Sequence, residues 1–135
     1  MALANIRSVD TFLKRNILAS DSFTDDEIET VLQVTRVMET CMENHQVPPI
    51  LANNILCTLF FEPSTRTRLS FETAMFRLGG QVVTVEQGGS TSAKKGESLS
   101  DMGRIVSNYA DVIVMRHPQP HSVAELASTS QVPVI

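Results

Sequence analysis

No apolar run in the 135-residue sequence approaches the ~20 residues that span a bilayer, so a membrane partner is not expected. Positive charge is not in excess either. The chain has 11 Lys and Arg against 15 Asp and Glu, a formal net charge of −4. Nothing therefore draws it as a whole to nucleic acid, and any anion site must be local. Cysteine is scarce: Cys41 and Cys57 lie in apolar contexts without C-x-x-C spacing and are expected as buried free thiols of a reducing compartment. His45, His117 and His121 show no metal-ligand spacing, so no metal is expected. The N-terminal MALANIRSVDTFLKRNILAS lacks a secretory apolar core, which favours a cytoplasmic protein, with organelle import as the lesser alternative. No internal repeat or low-complexity tract appears. The length suits a single domain over 1–135, with residues 1–15 a candidate flexible stretch, and folding would bury roughly two-thirds of the unfolded surface.

What is present alternates. T-D-D-E from Thr24 to Glu27 is a capping box, and Ile28, Val31, Leu32, Met38 and Met42 behind it follow a 3.6 period, predicting a helix to about Glu43. The methionine stripe reads as core rather than as a cofactor box. Pro48 and Pro49 break the pattern. Ile55 to Phe61 is continuously apolar, as a strand buried on both faces would be. A helix resumes near Thr67 and stops at Gly79-Gly80. Gln81 to Val85 reads as a second strand, and Glu86 to Ser98 as a mobile Gly/Ser-rich loop. Ser98 to Tyr109 follows as a helix, Val112 to Met115 as a strand and Ser122 to Ser128 as a short helix, before a fourth apolar stretch, VPVI. Strand and helix in turn predict an α/β fold: a doubly wound parallel sheet flanked by helices.

In such sheets ligands bind outside the carboxyl ends of the strands, and the polar clusters sit there. PSTRTR follows the first strand, the Gly/Ser loop the second, and Arg116-His117 the third. Ser64, Thr65, Arg66 and Thr67 taken as a first helical turn would offer free N–H groups, hydroxyl donors and a guanidinium fork to an anion. The alternative is local: Ser64 as an N-cap only, with Arg66 paired to Glu62 or Glu72. Arg68 and Arg77 point elsewhere on this helix and read as structural or interface partners. GGSTSAKKGES is no triphosphate loop, because Ala93 precedes Lys94 and Gly96 follows Lys95. Its lysines are either solvated or one of them is a delivered point charge. G-x-G-x-x-G is absent, which argues against a dinucleotide site. Arg116 is a candidate second charge on the ligand, and His117 reads as a hydrogen-bonded structural group.

FFEPSTRTRLSFETAMFRLGG and KKGESLSDMGRIVSNYADVIVMRHPQ together resemble the carbamoyl phosphate domain of the aspartate carbamoyltransferases, from about Arg15 to Ile135. STRTR is shared with the ornithine enzymes; KGES and MRHPQ favour the aspartate branch. The resemblance implies transfer of the carbamoyl group from carbamoyl phosphate to L-aspartate, a step of pyrimidine synthesis, without cofactor or metal. It implies Ser64, Thr65, Arg66 and Thr67 as the phosphate cradle, and Thr67 and Arg116 as contacts of the carbonyl oxygen. It also implies that Lys95 and Ser92, with Thr91 the alternative to Ser92, reach the site of a neighbouring subunit in a homotrimer. Family chains are roughly twice this length, as two lobes would require. This sequence is accordingly expected to hold half a site, to be inactive or nearly so alone, and to expose an apolar surface where the aspartate-binding lobe would pack; the alternatives are a non-catalytic anion-binding or modulatory half-domain and an ornithine-type lobe.

Overall fold

The structure, a computed structural model, describes residues 10–86 and 97–135. Three parallel strands form the sheet: β1 (Ile55–Phe60), β2 (Gln81–Glu86) and β3 (Val112–Arg116), in the order β2-β1-β3. Among the described residues four α-helices accompany them: α1 (Asp25–Glu43), α2 (Thr65–Arg77), α3 (Leu99–Val106) and α4 (Ser122–Ala127).

Strand β1 lies in the middle, and its alternating side chains enter two different cores. Leu56 and Phe60 point to the face covered by α2, where Met75 and Phe71 meet them. Cys57 and Leu59 point to the other face, against Met102 of α3 and Leu126 of α4. Burial on both faces is why the stretch has no polar alternation, and the helices on opposite faces make the sheet doubly wound. VPVI adds a partial fourth strand beside β3: Ile113 bridges to Val134, with bonds from Ile113 N–H to Pro133 O and from Ile135 N–H to Ile113 O, both 2.9 Å. The N-terminal segment crosses behind it, since Ile17 N–H donates to Val134 O at 2.8 Å.

The α1 capping box forms as the sequence predicts. Glu27 N–H donates to Thr24 Oγ1 and Thr24 N–H to Glu27 Oε2. That second bond holds the Glu27 carboxyl below its usual pKa against the opposing effect of burial, and the paired Arg15 guanidinium adds to it. The apolar stripe behind the cap is a correction to expectation. Ile28, Val31, Leu32 and Met42 are all more than two-fifths exposed, and Glu27 alone is buried in this helix. Helix α1 does not lie on the sheet; Met38 and Met42 meet Ala74 and Leu78 of α2 across an open groove instead. A 3.6 period specifies an amphipathic helix but not what covers its apolar side. Of the two thiols, Cys57 is buried and Cys41 half-buried, and neither is bonded.

Candidate functional site

The parallel register sets the strand ends side by side. Phe60 pairs with Arg116, and Phe61 N–H still donates to Arg116 O at 2.9 Å just beyond β1. The chain then turns through Glu62-Pro63 into α2, so the last residue of β3 and the first turn of α2 share one corner of the sheet edge. This corner is the switch point of the topology. From β1 the chain moves outward to β2 over one face, then returns across the other face to β3.

Ser64 occupies the N-cap position of α2 with an irregular backbone (φ −154°, ψ 68°) and makes no side-chain capping bond. Its hydroxyl instead accepts from Arg116 Nη1 at 3.0 Å. Arg68 N–H is the first amide to close a helical bond, to Ser64 O. Among the described residues no acceptor meets the N–H groups of Thr65, Arg66 and Thr67, which carry the positive end of the helix dipole. Thr65 and Arg66 are exposed, and Thr67 is half-buried. Arg66 has no ion-pair partner among the described residues, because both carboxylates considered for it are engaged by other arginines. Glu62 is paired with Arg116 through Nε, and Glu72 lies 3.6 Å from Arg68 Nε.

A cavity of about 270 Å³ opens here, lined by Phe60, Phe61, Glu62, Ser64, Thr65 and Arg68 among others. Its walls combine two apolar rings with a carboxylate, two hydroxyls and a guanidinium. Arg66, Thr67 and Arg116 are not among the described lining residues, and Arg116 is tied to the wall through its bond to Ser64. His117 is fixed beside it. Its ring packs on Phe61 (centroids 4.9 Å apart), and its Nδ1 accepts from Gln119 N–H at 3.1 Å, leaving any ring proton on Nε2. Such an arrangement suits a small anion of one or two charges that hydroxyls, amides and guanidinium groups can surround. Among the described residues no cluster of His, Cys, Asp and Glu could hold a metal ion.

Four sequence-predicted residues, Ser64, Thr65, Arg66 and Thr67, thus share one helical turn, and Arg116 joins them from 52 positions away at Ser64. Ser92 and Lys95, with the alternative Thr91, lie outside the described residues. Two features escaped the sequence reading. Arg68 lines the cavity rather than pointing away from it. Glu62 belongs to Arg116, not to Arg66. The i,i+4 spacing of Arg68 and Glu72 was a visible signal for their pairing; the Glu62–Arg116 contact across 54 residues had none.

The family profile described as "Aspartate/ornithine carbamoyltransferase, carbamoyl-P binding domain" matches residues 15–135. The chain is 47% identical over 120 residues to the aspartate carbamoyltransferase catalytic subunit of Dichelobacter nodosus, covering 89% of this chain and 34% of the relative. To the catalytic subunit of Methanocaldococcus jannaschii it is 45% identical over 121 residues, covering 90% and 40%. The solved M. jannaschii catalytic subunit superposes with a TM-score of 0.83 at 46% identity, over 90% of this chain and 40% of that one. The aspartate transcarbamoylase of Trypanosoma cruzi, solved in complex with carbamoyl phosphate, superposes with a TM-score of 0.88 at 35% identity, over 96% and 42%. The chain therefore spans about two-fifths or less of the length of these relatives.

Proposed function

Because the chain belongs to the aspartate/ornithine carbamoyltransferase family through the carbamoyl phosphate binding domain, we propose that it carries the carbamoyl phosphate half-site of an aspartate carbamoyltransferase. The observation that carries this reading is the bond from Arg116 to Ser64, which joins the end of β3 to the open first turn of α2 around one cavity. In this reading the free amides of Thr65, Arg66 and Thr67, the hydroxyls of Ser64 and Thr65 and the Arg66 fork hold the phosphate. Thr67 and Arg116 face the carbonyl oxygen, where negative charge grows as an amine adds to the carbamoyl carbon. Their contribution is preorganised electrostatic stabilisation, alongside holding the two reactants in line. The amine belongs to L-aspartate, with ornithine as the alternative acceptor. Aspartate is favoured because six relatives at 45–47% identity carry the aspartate name.

The other half of the reaction requires groups beyond these residues. Lys95 and Ser92 are proposed to reach a neighbouring copy in a trimer, and aspartate to need a second lobe. Calorimetric titration of the chain with carbamoyl phosphate, beside Arg66→Ala, tests the half-site. Saturable binding that the variant loses is expected. An Arg66→Ala variant that binds as well as the parent would remove the cradle from the reading. Adding a separately produced second lobe and offering aspartate or ornithine then identifies the acceptor by which one is carbamoylated. Sedimentation of the chain with and without Lys95→Ala addresses the trimer.

A further inference from the structure

Beneath the first turns of α2 lies a polar cluster that neither the cavity nor the core accounts for. Thr58, in the middle of β1, is fully buried in a strand otherwise made of apolar residues and cysteine. Across the parallel register it pairs with Thr84 of β2, and the two hydroxyls are 3.0 Å apart. Both reach one carboxylate oxygen: Thr84 Oγ1 donates to Glu72 Oε1 at 2.8 Å, and Thr58 Oγ1 lies 3.2 Å from the same atom. Glu72 also faces Arg68, one helical turn nearer the start of α2, and Arg68 forms part of the cavity wall.

An ionised carboxylate is an acceptor only, so the two hydroxyls suit it as donors, and the Arg68 guanidinium 3.6 Å away adds its charge rather than a hydrogen bond. Helix α2 otherwise rests on the sheet through apolar contacts such as Met75 and Phe71, which resist separation but scarcely resist sliding or rotation. A directional cluster from two strands to one helical carboxylate resists both. Buried polar clusters of this kind serve to specify one arrangement among several of similar apolar burial.

We propose that Glu72 is a positioning residue: through Thr58 and Thr84 it fixes the register of α2 over β1 and β2, and through Arg68 it fixes the cavity wall. The first-turn amides are thereby held at the sheet edge opposite Arg116. This inference rests on the cradle reading for its functional consequence, though not for its structural one.

The test compares Glu72→Ala, Glu72→Gln and the double variant Thr58→Val/Thr84→Val with the parent 135-residue chain. Inorganic phosphate is the ligand, and amide hydrogen exchange of the ligand-free chain is a second readout. All are measured at a temperature where each variant is fully folded. Glu72→Ala and the double valine variant are expected to bind phosphate about tenfold or more weakly, the scale on which outer-shell supports act at bound-ion sites. Amides 68–71, the first of α2 to carry helical hydrogen bonds, should exchange faster in them, while β1 amides stay protected. Glu72→Gln, whose amide oxygen still accepts from the threonines, should restore most of both. Unchanged exchange at 68–71 in the folded variants overturns the proposal, whatever phosphate does. Loss of protection spread equally over β1 and α2 also overturns it, because Glu72 would then serve only global stability. If the parent binds no phosphate yet exchange at 68–71 responds selectively, the positioning role stands and the cradle reading falls. Should Glu72→Ala not fold, Glu72→Gln and the valine variant decide by the same criteria.

Discussion

In the proposed half-site Glu62 is a competitor for phosphate. Its carboxylate pairs with Arg116 Nε while Nη1 of the same guanidinium donates to Ser64. A phosphate entering the cavity must displace that carboxylate or share the arginine with it. The side chains of Arg116 and Glu62 are 47% and 31% exposed, so the pair is screened and worth no more than ~1 kcal/mol. The Glu62 charge also repels an incoming anion directly. At ~6 Å in a water-like dielectric this costs about 0.7 kcal/mol per unit charge. Glu62→Gln removes both effects and keeps the shape. Phosphate should therefore bind tighter by about 1–2 kcal/mol, roughly 5- to 30-fold. Calorimetric titration at low ionic strength reads this, and the gain should shrink as salt is added. Most of the gain should also disappear in an Arg116→Ala background, which a double-mutant cycle measures. Equal or weaker binding by Glu62→Gln would refute the argument and make Glu62 a contributor to the anion site.

Four further outcomes follow from particular contacts. Arg66→Ala, which removes an exposed side chain without an ion-pair partner among the described residues, should leave the urea midpoint within about 0.5 kcal/mol of the parent while phosphate binding is lost. Gly103→Ala should cost about 1–3 kcal/mol in urea unfolding, because a Cβ there would lie 2.5 Å from Leu126 O and 2.7 Å from Thr129 Oγ1 and force α3 off α4; a cost below ~0.5 kcal/mol would mean the helices separate freely. Burial pushes the Cys57 thiol from 9.0 up to about 11. The unfolded thiol ionises first as pH rises, so stability present below pH 9 declines towards pH 11, by on the order of 3 kcal/mol for this group. Urea midpoints between pH 8 and 10.5 should fall more steeply in the parent than in Cys57→Ala. Thr24→Ala should destabilise α1 by about 1 kcal/mol, seen as faster amide exchange in its first turn, since the cap is lost from a helix with little packing to replace it.

How far the sequence alone carries depends on the range of the interaction concerned. The capping box at Thr24 and Glu27 was readable because both partners lie in one turn, and it forms as written. Strand β1 was readable because burial on both faces leaves a run that is apolar but for Thr58. PSTRTR and RHPQ marked a candidate anion site because they set hydroxyls and arginines densely where strands end. Periodicity failed at α1, where the stripe through Val31 and Met42 gave the helix and its apolar side but not the absence of a covering layer. Composition could not say which carboxylate serves which arginine: Glu62, two residues from Ser64, belongs to Arg116, 54 positions on. The lone threonine in ILCTLFF was a hint that something polar is buried in the sheet, yet its partners come from β2 and α2.

The sequence by itself determined the α/β alternation, a helix beginning within Ser64–Thr67 and the residue types that gather at the strand ends, because these rest on local sterics and periodicity. Only the tertiary structure decided that Arg116 meets Ser64, that Glu62 occupies Arg116, and that Thr58, Thr84 and Glu72 converge under α2. Those contacts depend on the register of parallel strands joined by crossovers, and register is settled when the two faces of β1 are packed at once, which no short stretch of the chain encodes.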